Sequence, residues 1–324
     1  MIEGDGIGRE VVPAALSVLA ALRLPLDYYP AKAGYACYQE CGDPIPAETA
    51  AACRQADAVL FGAVTTPPDI PNYRSAIITL RKELDLYANI RPMRSLGVPG
   101  YREGIDLVIV RENTEGLYSG QEEDLGDVVI AKRVISRRGS ERIARAAFEL
   151  ARREGRRRVT IVHKANVLRL SCGLFRRTAF EVAKEYPEIT ADEMLVDAMA
   201  MRLIKEPEKF SVVVTTNLFG DILSDEASML VGGLGVAAAG NIGERGAIFE
   251  PVHGSAPNVV GRGTANPLAT ILAAAMMLSY LGELAAAERV NQAVAKVIAG
   301  GVLPPDLGGT ASTGEVTKVV IAAL

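Results

Sequence analysis

The segment Thr215-Thr-Asn-Leu-Phe-Gly-Asp-Ile-Leu-Ser-Asp225 carries the clearest chemical signal in the chain. A β-branched run enters a turn, and the helix expected over 221–230 opens on two carboxylates, Asp221 and Asp225. At i and i+4 they share one helix face. At a helix start they would also suit the positive end of its dipole, so helix capping is the plain alternative. A third acid, Asp197, ends the apolar segment Met194-Leu-Val196. Three carboxylates with substrate oxygens would make an octahedral site for a hard cation, Mg²⁺ or Mn²⁺. The chain has only two histidines, His163 and His253, which argues against a multi-histidine zinc site.

Other reactive types cluster where strands are expected to end. Lys164 lies in His163-Lys-Ala-Asn166, after the strand Val159–Val162. A lysine at the C-terminal end of a strand points to where α/β folds bind ligands. Desolvation and a neighbouring cation would lower its pKa toward that of a general base. On its own it reads first as a surface lysine. Arg111 opens Arg111-Glu-Asn-Thr-Glu-Gly-Leu-Tyr118 at another strand end. With Arg81 and Arg91 it gives three arginines from three segments. Arginine pairs carboxylates bidentately, so their convergence would predict a polycarboxylate ligand, whereas singly each reads as a salt-bridge residue. Tyr118 is a candidate proton donor or a half-buried core aromatic. The turn Phe249-Glu-Pro-Val-His253-Gly-Ser-Ala-Pro257 is too polar and too Gly/Pro-rich for core, and suits the wrapping of an adenosine.

The elements that must position these residues follow from length and pattern. The 324 residues suggest about two domains. A net charge of -4 argues against nonspecific binding to nucleic acid or anionic membrane. The four cysteines, Cys37, Cys41, Cys53 and Cys172, form no C-x-x-C and read as reduced packing residues, which fits a cytoplasmic location. The start has neither the basic nor the apolar region of a signal peptide. The longest apolar run, 268–278, is too short to span a bilayer and reads as a buried helix. The basic run 152–158 straddles a helix end and reads as a solvated face. Strands expected at 58–64, 105–111, 158–163 and 211–216 alternate with helices at 9–22, 46–55, 74–86, 140–153, 173–184, 221–230 and 267–281. A strand on a hairpin arm is expected at 128–136, and a final helix follows the turn 304–313. The alternation implies an α/β fold with largely parallel pairing. Gly4-x-Gly6-x-Gly8 is not a dinucleotide fingerprint, and only Met1-Ile2 precedes it as a stub strand.

Six motifs in order resemble the metal-dependent β-decarboxylating dehydrogenases, which act on isocitrate, 3-isopropylmalate, homoisocitrate or tartrate. They are Gly4-Asp-Gly-Ile-Gly8, Leu80-Arg-Lys-Glu-Leu-Asp-Leu-Tyr-Ala-Asn-Ile-Arg-Pro92, Arg111-Glu-Asn-Thr-Glu-Gly116, His163-Lys-Ala-Asn166, Asn217-Leu-Phe-Gly-Asp-Ile-Leu-Ser-Asp225 and Glu250-Pro-Val-His-Gly-Ser-Ala-Pro257. The resemblance implies a two-domain α/β fold of the isopropylmalate dehydrogenase kind, with mixed parallel and antiparallel sheets, not a Rossmann fold. Residues 1–86 and 232–324 would form the cofactor domain, and 87–231 the dimerisation, metal and substrate domain with a strand arm near 118–138. The active site would lie in the cleft and take Lys164 and Asp197 from the partner subunit. That sharing implies a homodimer, with a tetramer as the larger alternative.

By the same resemblance, Asp197, Asp221 and Asp225 would bind the metal. Ser75, Arg81, Arg91, Arg111 and Asn166 would contact substrate. Ile7, Glu250, His253, Gly254, Ser255, Ala256, Asn258, Val259 and Asn266 would contact the nucleotide. The implied reaction oxidises a 2-hydroxy acid by hydride transfer to the nicotinamide. Metal-assisted loss of the C3 carboxylate as CO₂ follows. Lys164 would take the hydroxyl proton, and Tyr118 would protonate C3.

The segment Tyr73-Arg-Ser-Ala-Ile-Ile-Thr-Leu-Arg81 resembles eukaryotic homoisocitrate dehydrogenases, and Ile77 stands where isocitrate enzymes have Asn. Ile78 stands where bacterial homoisocitrate enzymes have Arg, and His163 replaces the Asp usual in isopropylmalate enzymes. Homoisocitrate, in lysine biosynthesis by the aminoadipate route, therefore ranks first. Isocitrate follows, then isopropylmalate or tartrate. Asn258-Val259 replaces the Asp-Ile usual in NAD-linked members and the Lys-Tyr of NADP enzymes is absent, so NAD is expected with weakened discrimination. The non-enzymatic alternative is a regulatory subunit of a hetero-oligomeric isocitrate dehydrogenase.

Overall fold

The computed structural model describes residues 1–70 and 73–324. The chain forms two compact units. The first comprises Met1–Leu84, Ser95–Glu103 and Val231–Leu324, and the second Asp85–Arg94 and Gly104–Leu230. The segment 95–103 thus packs with the first unit although the chain on either side of it belongs to the second. The strands, in chain order, are β1 Ile2–Gly4, β2 Val59–Ala63, β3 Ala88–Arg94, β4 Asp106–Glu112, β5 Glu122–Asp124, β6 Val129–Ala131, β7 Arg158–His163, β8 Thr190–Leu195, β9 Val212–Thr215, β10 Ala238–Ile242 and β11 Ala247–Pro251.

In the first unit, β1 pairs parallel with β2, β2 parallel with β11, and β11 antiparallel with β10. The core against this sheet is dominated by the helix Leu268–Tyr280, buried around most of its circumference. Its apolar run is therefore a core helix, and no described helix is long and apolar enough to cross a membrane. The stub strand β1 holds by two register pairs to β2, Ile2 with Phe61 and Gly4 with Ala63.

In the second unit, β3 and β4 are antiparallel, while β4, β9, β7 and β8 run parallel in that order. All four residues of β9 are buried, the continuous apolar pattern of a strand covered on both faces. The helix Arg137–Arg153 buries Ile143, Ala144, Ala147, Phe148 and Ala151 along one stripe. Its Ser136 cap accepts from the Gly139 N–H. The expected arm strand shrinks to β6, which pairs with β5 in an exposed two-stranded hairpin.

The main correction concerns the two acids. The helix spans Asn217–Ser228, four residues earlier than expected, and its first turn holds no acid. Asp221 and Asp225 therefore lie in its second and third turns, where helix-start capping does not explain them. Further elements lie outside the expected set: β3, interrupted by Arg91-Pro92, β8, β10, β11 and the helices Tyr35–Cys41, Val196–Lys205 and Leu284–Ala299. The cysteines are all free, as expected. The basic run is a charge-paired surface, with Arg152 on Glu149, Arg156 on Asp106 and Glu154, and Arg158 on Asp192.

Candidate active site

The second unit gathers a cluster on the helix Asn217–Ser228. Strand β4 delivers Arg111 and strand β3 delivers Arg91, both buried. The Arg111 guanidinium donates to Asn217 Oδ1 through Nε at 3.1 Å and Nη2 at 2.7 Å, and pairs with Asp221 through Nη1. Arg91 donates to Asn89 Oδ1 at 2.7 Å, Ser224 Oγ at 2.7 Å, Asp225 Oδ1 at 3.1 Å and Asp221 Oδ1 at 3.2 Å. The Tyr118 hydroxyl donates to Asp221 Oδ2, and its ring lies under Arg111 at 4.9 Å. Of the expected residues, the fold thus brings together Arg91, Arg111, Tyr118, Asp221 and Asp225.

The electrostatics are asymmetric. The two guanidinium groups are buried, whereas the side chains of Asp221 and Asp225 are 28% and 55% exposed. Partial burial pushes the Asp225 carboxyl up, opposed by Arg91. Burial, then the bond to Asp221, pushes the Tyr118 hydroxyl up, so it keeps its proton at neutral pH. Accessible carboxylates backed by buried cations can exchange partners with a hard cation, and the arginines with an incoming carboxylate.

Lys164 follows β7, and its ammonium binds Asp197, whose carboxyl this contact holds below the usual range. Next to it, His163 Nδ1 accepts from the Ala165 N–H at 3.1 Å, so the proton is on Nε2, which donates to Glu193 at 3.0 Å. Arg176 holds Glu193 in turn. The buried His163 therefore braces the backbone that presents Lys164. Asn166 is exposed beyond it. Among the described residues, no three His, Cys, Asp or Glu side chains come together to hold a metal. Within one chain, Asp197 does not complete a triad with Asp221 and Asp225.

In the first unit, Arg81 binds Glu250 Oε1 at 2.6 Å, and Asn241 Nδ2 donates to the same oxygen at 2.7 Å. Glu250 is thus engaged with Arg81 and Asn241. Ser75 is buried at the start of the helix Ala76–Glu83 that carries Arg81. The glycine turn docks on the 253–257 loop, with the Ile7 N–H donating to Ser255 O at 3.0 Å and Ser255 Oγ 2.7 Å from Thr65 Oγ1. Gly6, at φ 56°, has no room for a side chain: a Cβ there would stand 2.1 Å from Ser255 O. Ala256 and Val259 pack on Ile7, Val11 and Ala265. His253 Nε2 is buried without a partner, and burial pushes the imidazole pKa down. Gly254 and Asn258 are exposed. Asn266 donates to Asp306 at 2.9 Å and accepts from the Leu268 N–H at 3.0 Å. The imidazole's unmet nitrogen and the exposed Asn258 side chain are polar groups that fit those of a dinucleotide.

Residues 1–320 match the model of the isocitrate/isopropylmalate dehydrogenase family. The chain belongs to that family. An isocitrate/homoisocitrate dehydrogenase of Thermus thermophilus is 54% identical over all of this chain and 97% of its own length. A 3-isopropylmalate dehydrogenase of Archaeoglobus fulgidus is 51% identical over all of this chain and 98% of its own. The crystal structure of isocitrate dehydrogenase from Methylococcus capsulatus superposes with a TM-score of 0.96 at 44% identity, covering 99% of this chain and 97% of that one. The fold is thus that of the isocitrate/isopropylmalate dehydrogenases, with the mixed sheets the motifs implied. The family's members are metal-dependent oxidative decarboxylating dehydrogenases that use NAD or NADP and act on small molecules.

The residue that sequence reasoning missed is Asn217. It opens the best motif, yet an asparagine at a strand-to-helix junction reads as a cap. Its partner Arg111 lies 106 positions away, and no local spacing reveals the pair.

Proposed function

We propose that this chain catalyses NAD-dependent oxidative decarboxylation of a 3-carboxy-2-hydroxy acid, with homoisocitrate first among the candidates and 2-oxoadipate and CO₂ as products. The observation that carries this reading is the convergence of Tyr118, Arg91 and Arg111 on Asp221. A proton donor, two carboxylate-binding cations and a hard-cation ligand then share one spot. Asp221 and Asp225 would hold Mg²⁺ or Mn²⁺, completed by Asp197 of the partner subunit in a homodimer. When bound, the cation supplies Lewis-acid polarisation and the nicotinamide accepts the hydride. Arg91 and Arg111 pair with substrate carboxylates. Lys164 of the partner subunit takes the C2 hydroxyl proton, and Tyr118 delivers a proton to C3 after CO₂ leaves. Tyr118, whose hydroxyl burial and Asp221 keep protonated, suits the donor's part.

The buried Ser75 favours a hydroxyl-bonded distal carboxylate over an isopropyl group. Asn258 offers a hydrogen bond to a ribose hydroxyl, supports NAD, and carries no charge to repel a 2′-phosphate. Similarity to relatives named isocitrate/homoisocitrate dehydrogenase supports both of those acids as candidates without ranking them, and similarity to one named for 3-isopropylmalate keeps that acid in the panel. The test is kcat/KM for homoisocitrate, isocitrate and 3-isopropylmalate, each with NAD and NADP. Homoisocitrate with NAD should give the highest value. Preference for 3-isopropylmalate would overturn the substrate assignment, and preference for NADP the cofactor assignment.

A further inference from the structure

Asn217 takes no part in the chemistry above, yet it is where Arg111 is held. The side chain is buried, and its Oδ1 accepts from both Nε and Nη2 of Arg111. Its Nδ2 donates to the Glu115 carbonyl at 3.1 Å. That fixes the amide orientation, because a guanidinium offers only donors and a carbonyl only accepts. One turn further on, Gly220 makes room for the arginine stem. A Cβ at Gly220 would stand 2.6 Å from Arg111 Cγ, 2.7 Å from its Cβ and 3.2 Å from Thr215 Cγ2. Alanine is the better helix former, so glycine here answers to Arg111 and not to the helix.

The first turns of the helix thus form a seat with two parts: an acceptor that fixes the plane of the guanidinium, and a gap that admits its stem. The acceptor is neutral. A carboxylate in its place would bind Arg111 as a charged pair and compete with any incoming anion. With Nε and Nη2 held by Asn217, Nη1 is left facing Asp221. Losing the acceptor would leave the guanidinium free to rotate about its contact with Asp221.

We infer that Asn217 and Gly220 are positioning residues that set the plane of Arg111 and so the affinity for a polycarboxylate substrate. The inference rests on the substrate class proposed above. It is tested with Asn217→Leu, Gly220→Ala and Asn217→Asp, using whichever of the three acids the wild type turns over best. For Asn217→Leu and Gly220→Ala, the loss in kcat/KM should be about 10- to 100-fold, most of it in KM. Asn217→Asp keeps an acceptor for Arg111 but adds a charge that competes with the substrate anion and loses the bond to the Glu115 carbonyl, so its KM should lie between those of Asn217→Leu and the wild type. Combining Asn217→Leu with Arg111→Lys should add little to Arg111→Lys alone, because lysine cannot use the seat. If Asn217→Leu does not fold, Gly220→Ala and its combination with Arg111→Lys carry the same test. KM within about twofold of wild type, or full additivity with Arg111→Lys, would overturn the inference. Absence of wild-type turnover on all three acids would instead overturn the substrate reading.

Discussion

The two units hold arginine and carboxylate in opposite ways. In the first, Arg81 and Glu250 are closed in together, each side chain 9% exposed, with Asn241 as a further donor to the same carboxylate. In the second, Arg91 and Arg111 are buried but their acids are not, and neutral asparagines take part of each guanidinium. A closed buried pair costs desolvation and is strongly disturbed when one partner is removed. Open acids keep water within reach and can change ligands at low cost. The first arrangement fixes a geometry, and the second leaves a site ready to bind.

The largest effects should come from the open cluster and its proton-transfer groups. Tyr118→Phe and Lys164→Met should each lower kcat by about 10²- to 10⁴-fold. Metal binding, by calorimetry, and the melting temperature should stay near wild type. Near-native turnover in either variant would remove that residue from the chemistry. The closed pair should respond in stability instead. Glu250→Ala strands Arg81 in a buried site and should cost about 3–5 kcal/mol in denaturant unfolding. A cost under about 1 kcal/mol would mean that the pair is no more closed than a surface bridge. Asp225→Asn sharpens the contrast: unfolding should move by about 1 kcal/mol or less, because its pair with Arg91 is half open. The metal concentration for half-maximal activity should rise at least about tenfold. Unchanged metal dependence would exclude Asp225 as a ligand.

The smallest expected effect is a pH slope from the first unit. Burial lowers the His253 pKa from its ordinary 6.5. Between the lowered value and 6.5 the unfolded chain binds more protons than the folded one, so stability rises with pH across that window and the penalty is complete below it. His253→Asn should flatten this slope by up to one proton in denaturant titrations between pH 5 and 7. An unchanged slope would show that His253 titrates alike in both states.

Much of this was legible in the sequence, for identifiable reasons. The i, i+4 acids, the strand-end arginines and the short histidine count all point to carboxylate chemistry without any contact being known. Continuous β-branched runs mark β9, and the 268–278 apolar run marks its core helix. Less legible was anything depending on distant partners. The helix of Asp221 starts at Asn217 because the strand runs straight into it, without a side-chain cap to announce the junction. The role of Glu250 depends on Arg81, 169 positions away. Strand β3 was hidden by the proline that follows Arg91, and pairing with β4 overrides that local signal.

Within one chain Lys164 pairs with Asp197, and no described acid trio gathers for a metal; the function proposed above therefore draws each site from two chains. Mixing Tyr118→Phe and Lys164→Met chains, with subunit exchange, tests it directly. In a shared site, each mixed dimer regains one site with both residues intact, and the mixture should recover to about a quarter of wild-type activity. If both residues served the same chain's site, every site would stay defective and the mixture would remain as inactive as either variant alone.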